Sequence, residues 1–172
     1  MTDSTFAACY PWLRESEGGN DDDPDDPGGR TSRGITQHEY DAYCTLHDFP
    51  HGDVWKATEQ AIGSIYESSY WQPYCHQLPP GPDYVFFDEN VNAGLHEAAL
   101  ILQRALGVAA DGHIGMVTLA AVAKADPAHL VNAMSDERAK IYRQMRGFWK
   151  YGKGWLRRVE FCRQKALTLV KA

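Results

Sequence analysis

The sequence has no long apolar run. No stretch approaches the roughly 18 consecutive apolar residues that would span a membrane, so we expect no stable membrane insertion. The first twelve residues, MTDSTFAACYPW, lack the cationic start and apolar run of a signal peptide. The expectation is synthesis in the cytoplasm without a signal peptide, followed by some other route to any target outside it.

Cysteine is sparse and never forms a CxxC pair. The four cysteines stand at positions 9, 44, 75 and 162, a spacing typical of reduced and buried thiols. Cys44 and His47, with His51, Cys75 and His76 elsewhere, are ligand types that zinc accepts, but no second compact pair completes a site. We therefore expect no metal and no cofactor.

Acidic residues crowd into one stretch, RESEGGNDDDPDDPGGRTSRGIT, at positions 14–36. Aspartates at alternate positions from Asp21 match the first three ligand positions of an EF-hand calcium loop. The sixth position is Asp26 where glycine is needed, and the twelfth is Ser32 where a bidentate glutamate is needed. The calcium signature fails, which leaves a solvated loop or one side of a catalytic cleft.

Charge is divided unevenly along the chain, whose formal net charge is −6. Residues 138–172 hold eleven Lys or Arg and a single acid, Glu160, whereas residues 1–137 carry −16. Two interpretations are open for the C-terminal segment. It favours an anionic partner such as a wall or outer-membrane surface, or it is a basic face folded against the acidic rest of the molecule.

Apolar residues recur at helical spacing through most of the chain. The pattern predicts helices at about 3–17, 36–47, 55–71, 84–107 with a break near 92–94, a short one within 110–126, then 126–151 and 155–170, the last two separated by Gly152 and Gly154. Residues 18–34, rich in Gly, Pro and Asp, predict a loop or short hairpin. The Pro-rich segment 72–83 predicts a hinge between two lobes, 1–75 and 76–172.

The acidic stretch contains residues suited to sugar-bond hydrolysis. Glu17 lies at the end of the first predicted helix, where partial desolvation would raise its pKa and suit it to donate a proton. If the glycine-rich segment folds back, Asp26 would stand opposite it and Thr31 would hold a water. Glycosidases use such a carboxyl pair, one to protonate the leaving oxygen and one as base or nucleophile.

The full string around these residues closely resembles the signature of the glycoside hydrolase 108 family, the phage and bacterial N-acetylmuramidases. The matching elements are EGG at 17–19, Pro24, DPGG at 26–29, Thr31 and GIT at 34–36. Later blocks also match: IYESSYW at 65–71, FDENVNAG at 87–94, LQRALG at 102–107 and DGHIGMVTLAAV at 111–122. The family usually has an aromatic residue after Glu-Gly-Gly, where this sequence has Asn20.

The resemblance implies a mainly α, lysozyme-like fold with a catalytic lobe at 1–75 and a peptidoglycan-binding-like lobe at 76–172. It implies muramidase activity on peptidoglycan, with Glu17 as the catalytic acid and Asp26 and Thr31 in supporting roles. Thr36, Tyr70 and Asn92 are the candidate substrate-binding residues. The enzyme is expected to be a monomer that needs a holin or export system to reach the wall and binds no nucleic acid.

Structural roles are open for several of these residues. Asp26 and Thr31 are also ordinary turn residues. Asn92 either binds substrate or caps a helix break. Tyr70, with Tyr66 and Trp71, lines the cleft or fills a core, and a core is favoured. For the whole chain, the alternative is a non-catalytic wall-binding or secretion-accessory protein of the same fold.

Overall fold

The computed structural model describes residues 5–16, 20–21 and 30–170. Within these ranges the chain is mainly α-helical, as predicted, and adopts a lysozyme-like fold. The helices are α1 (Phe6–Ser16), α2 (Gln37–Leu46), α3 (Glu59–Ile65), α4 (Pro82–Ala93), α5 (Leu95–Leu106), α6 (Met116–Val122), α7 (Pro127–Gln144) and α8 (Phe148–Val170). Short 3₁₀ turns occupy Val54–Lys56 and Cys75–Gln77, and a π-helical segment occupies Tyr66–Trp71.

Three two-residue strands form the small sheet predicted in the glycine-rich region. They are β1 (Asn20–Asp21), β2 (Thr31–Ser32) and β3 (Ile35–Thr36), in the order β1-β2-β3. Both pairings are antiparallel. The β2–β3 turn requires positive φ at two consecutive residues, Arg33 (54°) and Gly34 (84°), a geometry that suits a tight hairpin.

The region predicted as one helix from 55 to 71 is in fact three shorter elements. The 3₁₀ turn ends at Lys56, and Thr58 caps α3, because its hydroxyl accepts from the Ala61 amide at 3.1 Å. The helix then widens into the π-helical segment. The predicted break near 92–94 is confirmed: Gly94 has φ 88° and separates α4 from α5.

The predicted boundary between the last two helices was wrong. We expected Gly152 and Gly154 to separate them, but α7 ends at Gln144 and α8 runs continuously from Phe148. The turn instead uses Gly147, with φ 94°. Gly152 lies within α8, where the Phe148 ring covers it; a Cβ there would lie 2.4 Å from that ring. This glycine therefore serves close packing rather than helix termination.

Close contacts group the described residues into two compact units. One spans residues 6–69, and the other comprises Thr5 and residues 70–170. The expected division of functions between lobes 1–75 and 76–172 stays a prediction. In the first unit, fully buried side chains from α1, β3, α3 and the π-helical segment form the core: Leu13, Ile35, Ile62, Ile65 and Tyr66.

The second unit has its core on α4, which is buried along most of its length. Its largest buried apolar side chains include Phe86, Phe87, Ile101, Leu102 and Leu130. All four cysteines are buried, which confirms the position predicted for them from the sequence. None of the helices in the described ranges combines the length and apolar composition needed to cross a membrane.

A buried ionic cluster links α4, α7 and α8 within this second unit. Arg138 on α7 lies 2.5 Å from Asp88 and also pairs with Glu89, and these three side chains are at most 3% exposed. Arg158 on α8 adds a second cation 3.0 Å from Asp88. The Tyr142 hydroxyl accepts from Arg138 at 2.9 Å and donates to Glu89 at 3.2 Å.

The pKa values of the two carboxyl groups in this cluster are shifted in opposite directions. Burial alone would raise the pKa of Asp88, but its two arginine partners hold that pKa below the usual value. Burial raises the pKa of Glu89, and the neighbouring Asp88 charge adds to the effect of burial. Arg138 consequently provides most of the compensation that allows the pair to remain inside the protein.

Replacing Arg138 by Met should therefore destabilise the protein strongly. Glu89 would lose its arginine and Asp88 would retain only Arg158, so we expect a loss of about 3–5 kcal/mol in the free energy of unfolding. The control is Arg163→Met, whose partner Asp136 is 69% exposed and whose loss should stay below about 1 kcal/mol. Urea unfolding measures both; equal losses would contradict the prediction.

Asp83 is a third buried acid, located in the first turn of α4. It is 2% exposed, and its carboxylate accepts from the Gly81 amide at 2.8 Å, the Tyr84 amide at 2.7 Å and the Thr5 hydroxyl. Burial outweighs these hydrogen bonds and raises the pKa from 3.8 to about 6. The folded protein therefore binds this proton more tightly than the unfolded chain, so stability is lost as pH rises through that interval.

Asp83→Asn should remove this pH dependence. The amide can keep the same acceptor oxygen without a buried charge, so the variant should exceed wild type in unfolding free energy by up to about 3 kcal/mol near pH 8. The difference should vanish below about pH 3, where Asp83 is protonated in both the folded and the unfolded state. The control Asp136→Asn, at a 69% exposed position, should show a much smaller change with pH. Urea unfolding at a series of pH values measures these free energies. If the free energy of unfolding had the same pH dependence in wild type and in Asp83→Asn, the raised pKa of Asp83 would be contradicted.

Candidate functional site

The two predicted carboxylates, Glu17 and Asp26, lie outside the described residues. The structure does describe the elements that flank them in sequence. Helix α1 ends at Ser16, one residue before Glu17, and β1 and β2 enclose the segment that contains Asp26. Asp21 on β1 pairs with Thr31 on β2, so the ends of that segment meet at the base of a hairpin.

The sheet brings two predicted site residues together. Thr31 on β2 pairs directly with Thr36 on β3, and cross-strand partners project from the same face. The next pair, Ser32 and Ile35, projects from the opposite face, where both are 0% exposed. Thr31 and Thr36, both partly exposed, therefore lie side by side on the outer face of the sheet.

Thr36 also has a structural role that its spacing from Glu39 predicts, as the capping residue of α2. Its hydroxyl accepts from the Glu39 amide at 3.2 Å, while its own amide donates to the Glu39 carboxylate at 2.9 Å. The hydroxyl further contacts this carboxylate at 2.8 Å. This capping box fixes the start of α2 immediately after β3.

Arg33 anchors the β2–β3 turn to the helical part of the same unit. Its guanidinium donates to the Ala57 carbonyl at 2.6 Å, to Glu59 at 2.8 Å and to the Ser32 hydroxyl at 3.2 Å. Its carbonyl accepts from the buried Tyr66 hydroxyl at 2.8 Å. These bonds hold a non-glycine residue at positive φ, where its backbone is otherwise disfavoured.

Glu59 connects this turn to the end of α1. Its carboxylate accepts from the Tyr10 hydroxyl at 2.6 Å and lies 3.5 Å from Arg14 in the last turn of α1. Arg14 also donates to the Arg33 carbonyl at 3.4 Å. The Tyr10 hydrogen bond, with help from the two arginines, lowers the pKa of Glu59 against its partial burial. Glu59 consequently stays ionised at neutral pH and ties the hairpin to the helix that precedes Glu17.

Trp55 supports the hairpin through β2. Its indole nitrogen donates to the Thr31 carbonyl at 3.1 Å. The Arg30 guanidinium lies 3.9 Å from the Trp55 ring centre and pairs with Asp53 at 3.3 Å. The Gln37 amide donates to the Arg30 carbonyl at 2.8 Å. The main chain on both sides of Thr31 is thus held in place.

The other two predicted substrate-binding residues belong to the second unit. Tyr70 lies in the π-helical segment, and its carbonyl accepts from the Asn90 amide group at 2.8 Å. Asn92 is exposed near the end of α4 and donates to the Tyr142 hydroxyl at 2.8 Å. Their roles in binding stay predictions. The favoured core position is confirmed for Tyr66 (0% exposed) and Trp71 (2%).

A recess in the first unit offers a further surface of aromatic and polar character. It has a volume of about 420 Å³, and its lining includes Tyr40, Tyr43, Phe49, Lys56 and Gln60. An aromatic-lined recess with a few polar groups is a candidate ligand surface. Among the described residues, no three His, Cys, Asp or Glu side chains form a group that could hold a metal ion.

Sequence reasoning missed the residues that hold this site together. Arg33 and Glu59 are 26 positions apart, and Tyr10 and Glu59 are 49 apart. Such contacts have no periodic signature. The one local clue was the Arg33-Gly34 pair between two short strands, since a glycine in a tight hairpin indicates positive φ.

Two family models and a solved structure are similar to this chain. Residues 10–94 match the model of Glycosyl hydrolase 108, and residues 97–160 match that of a Predicted Peptidoglycan domain. The solved structure of SagA from Brucella abortus is similar over 98% of this chain and 97% of that chain, with 33% identity and a TM-score of 0.80. No curated protein matches the sequence. The two family matches indicate a glycoside hydrolase that acts on peptidoglycan.

The anchoring of the β2–β3 turn can be tested at Arg33 itself. Arg33→Ala removes the side-chain bonds but keeps a Cβ at positive φ, so we expect a loss of about 2 kcal/mol in stability. Arg33→Gly removes the same bonds but relieves the backbone, so its loss should be smaller by about 1 kcal/mol. Urea unfolding of the two variants gives the order; Ala equal to or better than Gly would contradict the described turn geometry.

Proposed function

The chain belongs to the glycosyl hydrolase 108 family, and from this premise we propose that it is a muramidase. It cleaves the peptidoglycan strand between N-acetylmuramic acid and N-acetylglucosamine. The match at residues 10–94 covers the Glu-Gly-Gly motif, the second half of α1 and the sheet, and the match at 97–160 supports peptidoglycan as the substrate.

Glu17 is the proposed general acid. A protonated carboxyl group donates its proton to the glycosidic oxygen while charge develops on the sugar ring. A site that is partly desolvated when substrate is bound would raise the pKa of Glu17 and keep the proton available near neutral pH. Asp26 is proposed as the second carboxylate, on the opposite side of the sugar, and Thr31 as a ligand for the water that completes hydrolysis.

The hairpin is the observation that best supports these roles. Its first strand begins three residues after Glu17, and its strands enclose the segment of Asp26. Thr31 lies on the outer face of the sheet with Thr36, and the bonds of Arg33 and Glu59 connect that sheet to the last turn of α1. The carboxyl groups therefore belong to segments with anchored ends, as positioned acid-base chemistry requires.

Substrate contacts are proposed for Thr36, Tyr70 and Asn92. Thr36 would offer its hydroxyl beside Thr31, and Asn92 would offer amide hydrogen-bonding groups from an exposed position. In the cell, the proposed role is wall lysis as a phage-type endolysin, or opening of the wall for export of a large cargo. Access to the wall through a holin or an export system and action as a monomer are part of the same proposal.

The decisive variant is Glu17→Gln, which keeps the shape of the side chain but removes the transferable proton. In a turbidity assay on purified sacculi, we expect wild type to clear the suspension and Glu17→Gln to lose at least about 100-fold in rate. The matched control is Glu15→Gln, an exposed position two residues earlier on α1, which should retain the wild-type rate. Equal rates for wild type and Glu17→Gln would refute the assignment of the acid.

Fragment analysis identifies the bond that is cleaved. Mass spectrometry of the released material should show reducing N-acetylmuramic acid ends; reducing glucosamine ends or anhydro ends would indicate a glucosaminidase or a lytic transglycosylase instead. If wild type sediments with sacculi but never releases fragments, the alternative of a non-catalytic wall-binding protein is correct.

A further inference from the structure

Two groups of cations can be distinguished within the basic C-terminal segment. Four of its cations are bound to acids: Arg138 and Arg158 to Asp88, Arg163 to Asp136 and Lys140 to Glu137. Their positive charge is compensated within the protein. The net charge of +10 counted for residues 138–172 is therefore larger than the positive charge that a partner can contact.

A second group is exposed near the α7–α8 turn. It consists of Arg143, Arg146, Lys150, Lys153 and Arg157, all exposed. No acidic residue occurs in the sequence between Glu137 and Glu160. Within the described part of the chain none of these five side chains forms an ion pair with an acid, so their positive charge is available to a partner.

The same surface exposes a large aromatic side chain. Trp149 in the first turn of α8 is 87% exposed, and Met145 in the turn before it is 48% exposed. Trp149, Lys153 and Arg157 follow one another at intervals of four residues, so they share one face of α8, and Lys150 flanks that face. Trp149 and Met145 together expose apolar surface beside several cations, and an apolar patch rimmed by charged side chains is typical of an interaction site. We call Met145, Trp149, Lys150, Lys153 and Arg157 the α8 face.

We propose that the α8 face is a docking surface for a bilayer containing anionic phospholipids. Indole side chains favour the headgroup region, where one edge is apolar and the other hydrated. Each Lys or Arg near an anionic leaflet adds about 1 kcal/mol of attraction, or about a fivefold increase in binding. The enzyme would rest on the membrane through α8 without inserting a helix.

Other occupants fit this surface less well. A second copy would place two sets of like charges opposite each other, which opposes association. A purely anionic polymer would use the cations but gives no reason to expose Trp149 and Met145 together. A lipid headgroup region accommodates both features, because it combines negative charge with apolar depth.

Vesicle sedimentation of the full chain tests the proposal. Wild type should bind phosphatidylcholine vesicles containing about 30% phosphatidylglycerol, should bind pure phosphatidylcholine much less, and should be released as salt rises to about 0.5 M. Because glycan cleavage is not involved, Glu17→Gln should bind as wild type does. This result separates a failure of the docking surface from a failure of the proposed enzyme.

Variants of the α8 face separate the contribution of its cations to vesicle binding from that of its tryptophan. Lys153→Gln combined with Arg157→Gln should weaken vesicle binding about 30-fold, and Trp149→Ala about tenfold. The matched control combines Arg104→Gln with Lys124→Gln, which removes one Arg and one Lys from exposed positions elsewhere in the same unit. It should weaken binding less than about fivefold.

Three results would overturn the inference. The first is no binding of wild type to anionic vesicles at low salt. The second is a loss in the control as large as in the α8 variants. The third is a loss of sedimentation with purified sacculi in the α8 variants while vesicle binding is unchanged, which would assign the surface to the wall polymer.

Discussion

The guanidinium of Arg138, buried between Asp88 and Glu89, is the constraint on which the second unit depends. Removing two carboxylates from water costs several kcal/mol each unless cations and hydrogen bonds compensate for that loss. Arg138 and Arg158 supply them from α7 and α8, and Tyr142 adds a hydroxyl. The register of three helices is therefore coupled, because a shift of any one would leave a charge buried without its partner.

In the first unit, partly exposed side chains hold a short hairpin in place. Its hairpin consists of three two-residue strands, too short to be stable alone. Arg33 and Glu59 tie the β2–β3 turn to the helical part of the unit, and Arg14 extends the connection to the end of α1. Each exposed ion pair contributes little. Their combination with the buried Tyr66 hydroxyl is what fixes the turn in position.

Features with a local cause could be predicted from the sequence. The capping box of Thr36 and Glu39 and the helix break at Gly94 follow from chemistry within a few residues. The misplaced boundary at Gly152 also has a local cause, the Phe148 ring four positions earlier, but the sequence pattern does not distinguish a glycine packed inside a helix from one that ends it. The family resemblance reached further, since it depends on ordered motifs, but it could not reveal that Arg33 and Glu59 meet.

The net charge counted along a segment differs from the charge that the segment exposes on the protein surface. The C-terminal segment contains cations that pair with acids far away in sequence: Arg138 and Arg158 are 50 and 70 positions from Asp88. Those cations belong to the fold, and reversing Arg158 would put a negative charge beside a buried carboxylate. Lys153 and Arg157 lie on the exposed face of the same helix. Recognition of an anionic surface can depend only on this second group, because the first is neutralised within the protein before any partner arrives.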